Sequence, residues 1–263
     1  MNFSITPIVR NLIIINVAIF AISNLLRSLE AFCGLHFLLS SDFYVFQFAT
    51  YMFFHADFSH LLFNMFPLFM FGTVIERFWG SQRFFIFYIL TGLGAGVLYA
   101  AVTYFQMSQL SNEITNFIAN PSPTGFSNFL HDHAKMIYSA NLQFMESYKD
   151  NAQNQGMITE CISVMKQVYT QKSSALMVGA SGAVMGVLMA FGLLFPNSEL
   201  YIFPLPMAIK AKYYVLFYGL IEIYAGVRTV QGDNVAHFAH LGGMVMAFIL
   251  IKIWKQKGNN MPY

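Results

Sequence analysis

Apolar residues along this chain gather into six long runs, each close to the ~20 residues that a helix needs to cross a bilayer core. The pattern predicts helical spans at about 8–26, 48–72, 84–105, 178–196, 213–230 and 235–254. Two of the connections are unusual. The stretch 27–47 is moderately apolar and predicts short amphipathic helices lying in the membrane interface. The stretch 106–177 is polar and is punctuated by the breaker Asn120-Pro121-Ser122-Pro123-Thr124-Gly125. Its later part carries Met136, Ile137, Leu142, Met145, Ile158, Ile162, Met165 and Val168 at approximate helical spacing, which predicts two or three surface helices. No internal repeat or low-complexity tract is visible.

Composition strengthens the membrane reading. The chain is 57% hydrophobic and only 10% charged, against about 25% charged in an average soluble domain. The fold expected is an all-α membrane protein, one domain over 1–263, with 106–177 inserted between the third and fourth spans. A net charge of +2 without a basic tract argues against a nucleic-acid partner. The first apolar run lacks a small-residue cleavage site, so no cleavable signal is expected. Six spans put both termini on one side. Arg10, the Arg77 to Arg83 turn, Lys210, Lys212, Lys252, Lys255 and Lys257 fall there, which makes that side cytoplasmic and the insertion extracytoplasmic.

Against this topology the polar residues inside the runs converge. His55, Asp57, His60 and Asn64 lie early in the second span, Ser181 begins the fourth, and Asp233, Asn234, His237 and His240 begin the sixth. All enter from the extracytoplasmic side, and such groups are costly in lipid unless they face one another or a wet cavity. Ser181, in Gly179-Ala180-Ser181-Gly182, is the candidate nucleophile, and His240 the candidate base that takes and returns its proton. Gly182, Gly186 and Ala190 on one span, and Gly243 and Ala247 on the other, would let two backbones approach closely. His60 and Asn64 share a helix face and can donate to an oxyanion. His55 is expected to brace the helix entrance, and His237 to be a rim contact. No carboxylate is obviously placed to orient the histidine, so a Ser–His dyad is expected, with Asp233 the one nearby candidate for a third member. Glu222, in the fifth span, reads as protonated or cavity-facing and structural. The polar connection Gln231-Gly232-Asp233-Asn234 is expected to gate water and substrate.

At these residues the chain resembles the rhomboid family of intramembrane serine proteases. The signatures are His55-x4-His60-x3-Asn64, Gly179-Ala180-Ser181-Gly182 and Ala239-His240-Leu241-Gly242-Gly243, supported by Glu76-Arg77 with Gly80 and by Phe203-Pro204-Leu205-Pro206 before Lys210-Ala211-Lys212. The resemblance implies a six-helix bundle, catalysis by Ser181 and His240, oxyanion help from His60 and Asn64, and structural support from His55, Gly179, Gly182, Gly186 and Gly243. It further implies single-span membrane proteins as substrates, lipid as surroundings, no cofactor and no metal. A bacterial inner membrane is the expected location. The resemblance fails over 106–177, and Met185 stands where many relatives carry an aromatic residue. The Trp-Arg pair common in the first extracytoplasmic loop is missing. The insertion either screens substrates and covers the site or is a passive elaboration.

Two other classes compete with this reading. One is a non-catalytic rhomboid-like binder of membrane helices. The other is a metal transporter or metalloprotease using His55, His60, His237 and His240, disfavoured by the lack of His-Glu-x-x-His. Cys33 and Cys161 both fall in extracytoplasmic loops, where a disulfide joining the insertion to the first loop and a pair of free thiols are both open readings.

Overall fold

The computed structural model describes residues 4–201, 208–227 and 236–257. Pro7 opens α1 (Pro7–Leu25) at a position where a missing N–H costs nothing. Two other N-terminal donors of that helix, Ile8 and Val9 N–H, reach the buried Glu76 carboxylate at 3.0 and 2.9 Å, and the Ser81 hydroxyl donates to the same group at 2.6 Å. One side chain thereby pins the start of the first span to the turn that follows the second.

The first loop contains α2 (Ser28–Cys33) and α3 (Gln47–Thr50), the latter running into a 3₁₀ turn at Tyr51–Phe53. The second span therefore begins at Phe58 rather than 48. Asp57 accepts the His60 N–H at 2.8 Å and fixes the start of α4 (Phe58–Pro67). A π-helical turn, Leu68–Gly72, follows Pro67 and leads into α5 (Thr73–Trp79), so that the whole apolar helix runs to Trp79. Gly80, at φ 82°, turns the chain into the next helix, as few residues other than glycine would.

That helix, α6 (Ser81–Ala119), has 39 residues, about 58 Å at 1.5 Å per residue, twice a hydrocarbon core of ~30 Å. The helix of the third span does not stop at 105. Its composition turns polar, but Met107, Leu110, Ile114 and Phe117 keep one buried apolar stripe. Against that stripe fold α7 (Pro123–His133) and then α8 (Lys135–Ala140), α9 (Leu142–Asp150) and α10 (Gln155–Ser173), the last three covering the later part where two or three helices were expected. Phe126, Tyr148, Cys161 and Met165 complete a cluster separate from the main core, and Phe37 joins it from the first loop. Met145, Ile158, Met165 and Val168 are buried, whereas Met136 and Leu142 are exposed.

The chain then forms α11 (Ser181–Leu194), a hairpin of β1 (Glu199–Tyr201) and β2 (Ala208–Lys210), α12 (Ala211–Val227) and α13 (His237–Lys257). The hairpin is antiparallel, with Glu199 opposite Lys210 and Tyr201 opposite Ala208. Among the described residues, four helices are long and apolar enough to cross a membrane, at Pro7–Leu25, Phe58–Trp79, Ser81–Ala119 and His237–Lys255. The expected fourth and fifth spans are helices of 14 and 17 residues. The main core lies between α6, α11 and α13, around Phe87, Tyr88, Ala95, Val187 and Ala247. Ile14, Ile22, Phe63, Phe66, Phe217 and Leu220 remain exposed, a rim suited to lipid rather than water.

The disulfide reading does not hold. Cys33 and Cys161 are both free, and Cys161 faces the insertion's own apolar cluster. Burial pushes its thiol up to about 12.

Candidate active site

The segment before Ser181 is held from two sides. Met177 and Leu35 exchange backbone hydrogen bonds of 2.9 and 3.0 Å. Gly179 N–H donates to Tyr51 O at 3.0 Å, and the Tyr51 hydroxyl donates to Gly92 O at 2.8 Å. Gly179 has φ 124°, and a Cβ there would lie 2.6 Å from His60 Nε2 and 3.8 Å from Ser181 Oγ. Glycine is thus required both by the backbone and by the histidine packed on it. Ser181 is the first residue of α11 and half-buried. Its N–H belongs to the helix-end donors that no earlier turn can satisfy.

Small residues set how closely the flanking helices come. A Cβ on Gly243 would fall on the carbonyl oxygen of Gly182 and lie 2.7 Å from its carbonyl carbon. Gly182 itself meets Ala95 of α6, with Ala239 O 3.3 Å from where its Cβ would stand. Gly186 faces Thr91 of α6, and Gly242 faces the α6 backbone at Gly94 and Ala95. The stripe on α11 expected to serve the last span therefore serves α6 as well, and the contact is a knot of three helices. Ser181 and His240 flank it, one residue and one turn away.

The histidines divide into two groups. His55, buried, receives a long bond from Ala180 N–H at 3.5 Å, and its ring meets His60 edge-on at 5.1 Å. His60 also lies close enough to His240 for their charges to interact. Asn64 is buried and donates one amide hydrogen to His60 O at 2.8 Å, leaving its second hydrogen available. On the other side, His237 Nδ1 lies 2.6 Å from Glu222 Oε2, and His240 Nδ1 lies 3.0 Å from Glu222 Oε1. The His240 ring is turned so that Nδ1 and that oxygen make no well-aligned hydrogen bond despite the distance. Ligand atoms of Glu222, His237 and His240 all fall within 4.8 Å of one another. Asp233, Asn234, the 231–234 connection and Phe203–Pro206 lie outside the described residues.

A family model described as the Rhomboid domain matches residues 42–121 and 156–257. The chain belongs to the rhomboid family. The match takes in His55, His60, Asn64, Ser181 and His240 and leaves 122–155 uncovered, a narrower gap than 106–177. A comparison with curated proteins gives no significant match. Rhomboids are intramembrane serine proteases, and with its long apolar helices this member is an integral membrane protein.

Near the rhomboid site one side chain escaped the sequence and another was read without its partners. Gln47 is fully buried, accepting His36 N–H at 3.3 Å and donating to Phe32 O and Asp42 O at 3.0 and 2.8 Å. It clasps the first loop that lacks the Trp-Arg pair. Glu222 is the other. It is buried against the histidines rather than set aside, and the cost of an unpaired carboxylate in an apolar helix was the available signal.

Proposed function

We propose that this rhomboid is an intramembrane serine endopeptidase that cleaves single-span membrane proteins near the extracytoplasmic face. Ser181 is the nucleophile and His240 the base. The observation that carries the reading is the touching of α11 and α13 at Gly182 and Gly243, beside Ser181 and one turn from His240. Ser181 attacks the scissile carbonyl while His240 takes its proton, then returns it to the leaving amine, and water resolves the acyl-enzyme. Ser181 N–H, His60 and the free hydrogen of Asn64 stabilise the oxyanion.

In this reading α11 and α12 complete six spans with both termini cytoplasmic, in a bacterial inner membrane. With 14 residues, α11 is about 21 Å long, short of a ~30 Å hydrocarbon core. Its Ser181 end is thereby recessed below the extracytoplasmic boundary, where a substrate helix arriving from lipid unwinds. The helices around 122–155 screen substrates on that side.

The test is reconstitution in liposomes with a panel of single-span reporter proteins, mapping fragments by mass spectrometry. Cuts near the extracytoplasmic end of a span, absent with Ser181→Ala, support the proposal. Fragments that persist with Ser181→Ala, or no cut in any reporter, contradict it.

A further inference from the structure

Glu222 is the group in this molecule that the dyad leaves without a task. It sits in the middle of an apolar helix with only 3% of its surface exposed. Charged carboxylates are rarely tolerated there without partners, and those found usually mark function. Its two oxygens are divided between two imidazoles, Oε2 at 2.6 Å from Nδ1 of His237 and Oε1 at 3.0 Å from Nδ1 of His240. Both rings thus turn the same nitrogen to the carboxylate.

For His240 the consequence is chemical. The two nitrogens lie on opposite edges of an imidazole, so a carboxylate at Nδ1 selects the tautomer with hydrogen at Nδ1 and leaves Nε2 as the basic atom. The titratable groups around His240 are Glu222 from α12, His237 from its own helix and His60 from α4. Only Glu222 among them carries negative charge. It is therefore the group able to stabilise the imidazolium formed when His240 takes the serine proton.

We infer that Glu222 is the positioning residue of a Ser181–His240–Glu222 triad, with His237 holding the other carboxylate oxygen so that the carboxylate keeps one orientation. The inference rests on the serine protease reading above. The oblique approach of the His240 ring suits a resting enzyme, since catalytic hydrogen bonds often align only once substrate is bound. Nδ1 and Oε1 already stand 3.0 Å apart, so it is the angle and not the distance that has to change. No proton moves to Glu222 in the cycle. The proton passes from Ser181 Oγ to His240 Nε2 and on to the leaving amine, while Nδ1–H stays on the ring.

The test uses the full chain in detergent and follows the rate of labelling by a fluorophosphonate at neutral pH, for wild type, Ser181→Ala, Glu222→Gln, Glu222→Asp and His237→Ala. Ser181→Ala must abolish labelling; if it does not, the serine reading falls and this inference with it. With that control in place, Glu222→Gln is expected to slow labelling roughly 100-fold or more at neutral pH. Glu222→Asp, which keeps the charge, should recover part of the rate, and this rescue stands as a readout even if Glu222→Gln folds poorly. His237→Ala should lose less than Glu222→Gln. A wild-type rate in Glu222→Gln would leave Glu222 as packing only and overturn the inference. Stoichiometric zinc in the purified protein, lost with Glu222→Gln and relieved by a chelator with a gain in labelling, would overturn it in favour of a cation shared by the three side chains.

Discussion

Gly243→Ala adds one methyl group to the point where α11 and α13 touch. The new Cβ would fall on the carbonyl oxygen of Gly182 and stand 2.7 Å from its carbonyl carbon. Non-bonded carbons rest at about 3.5–4.0 Å, so the helices must part by roughly 1 Å. Both obstructing atoms are backbone, and no rotamer change can absorb the shift. Ser181 and His240 ride on the two helices beside this contact. A misplacement of ~1 Å costs about 100-fold, or ~2.7 kcal/mol of barrier, while overpacking itself costs ~1–3 kcal/mol of stability. The assay is the second-order rate of fluorophosphonate labelling, read beside thermal unfolding in the same detergent. Gly219→Ala is the control, because its Cβ would meet the end of the Met244 side chain, with the terminal methyl at 3.2 Å and the sulfur at 4.0 Å, which can swing away. Labelling of Gly243→Ala at the wild-type rate, with an unchanged unfolding midpoint, would refute the close approach and the alignment drawn from it.

Three further outcomes follow from the packing. Cys161 is fully buried and its thiol is pushed up to about 12, so iodoacetamide at pH 8 should leave it unmodified until denaturant is added, and rapid native modification would contradict its burial. Gln47→Leu should strand a buried N–H and two carbonyls of the first loop, costing ~1–3 kcal/mol or more and lowering the melting midpoint by roughly 2–4 °C per kcal/mol; an unchanged midpoint would show that the clasp is dispensable. Phe126→Ala should destabilise the insertion cluster by ~3–5 kcal/mol and open 122–155 to limited proteolysis while Ser181 still labels, whereas joint loss of labelling would show that the two cores are not independent.

The sequence signalled the parts of this rhomboid that depend on local pattern. The apolar runs placed the helices, and Gly182, Gly186 and Gly243 announced a close approach before any contact was visible. It misled where one signal stood for two properties. Around residue 105 hydropathy falls, which marked the end of a span, yet Met107, Leu110, Ile114 and Phe117 maintain a helical stripe, and α6 continues to Ala119. Leaving the bilayer and ending a helix are separate events. The start of the second span was misplaced for a related reason, since 48–57 is apolar enough to join it but Asp57 caps the helix only at Phe58. Glu222 was legible as a cost but not as a partnership. It meets His237 and His240 only because α12 and α13 pack side by side, and no local pattern encodes that pairing.

The central claim is that Ser181 is a nucleophile activated by His240. It is tested most directly by fluorophosphonate labelling of the detergent-purified protein, comparing wild type with Ser181→Ala and His240→Ala. The account predicts a labelled wild type, with the adduct on Ser181 by mass spectrometry, and loss of labelling in both variants. An unlabelled wild type that is well folded, or a label that survives either substitution, would contradict it.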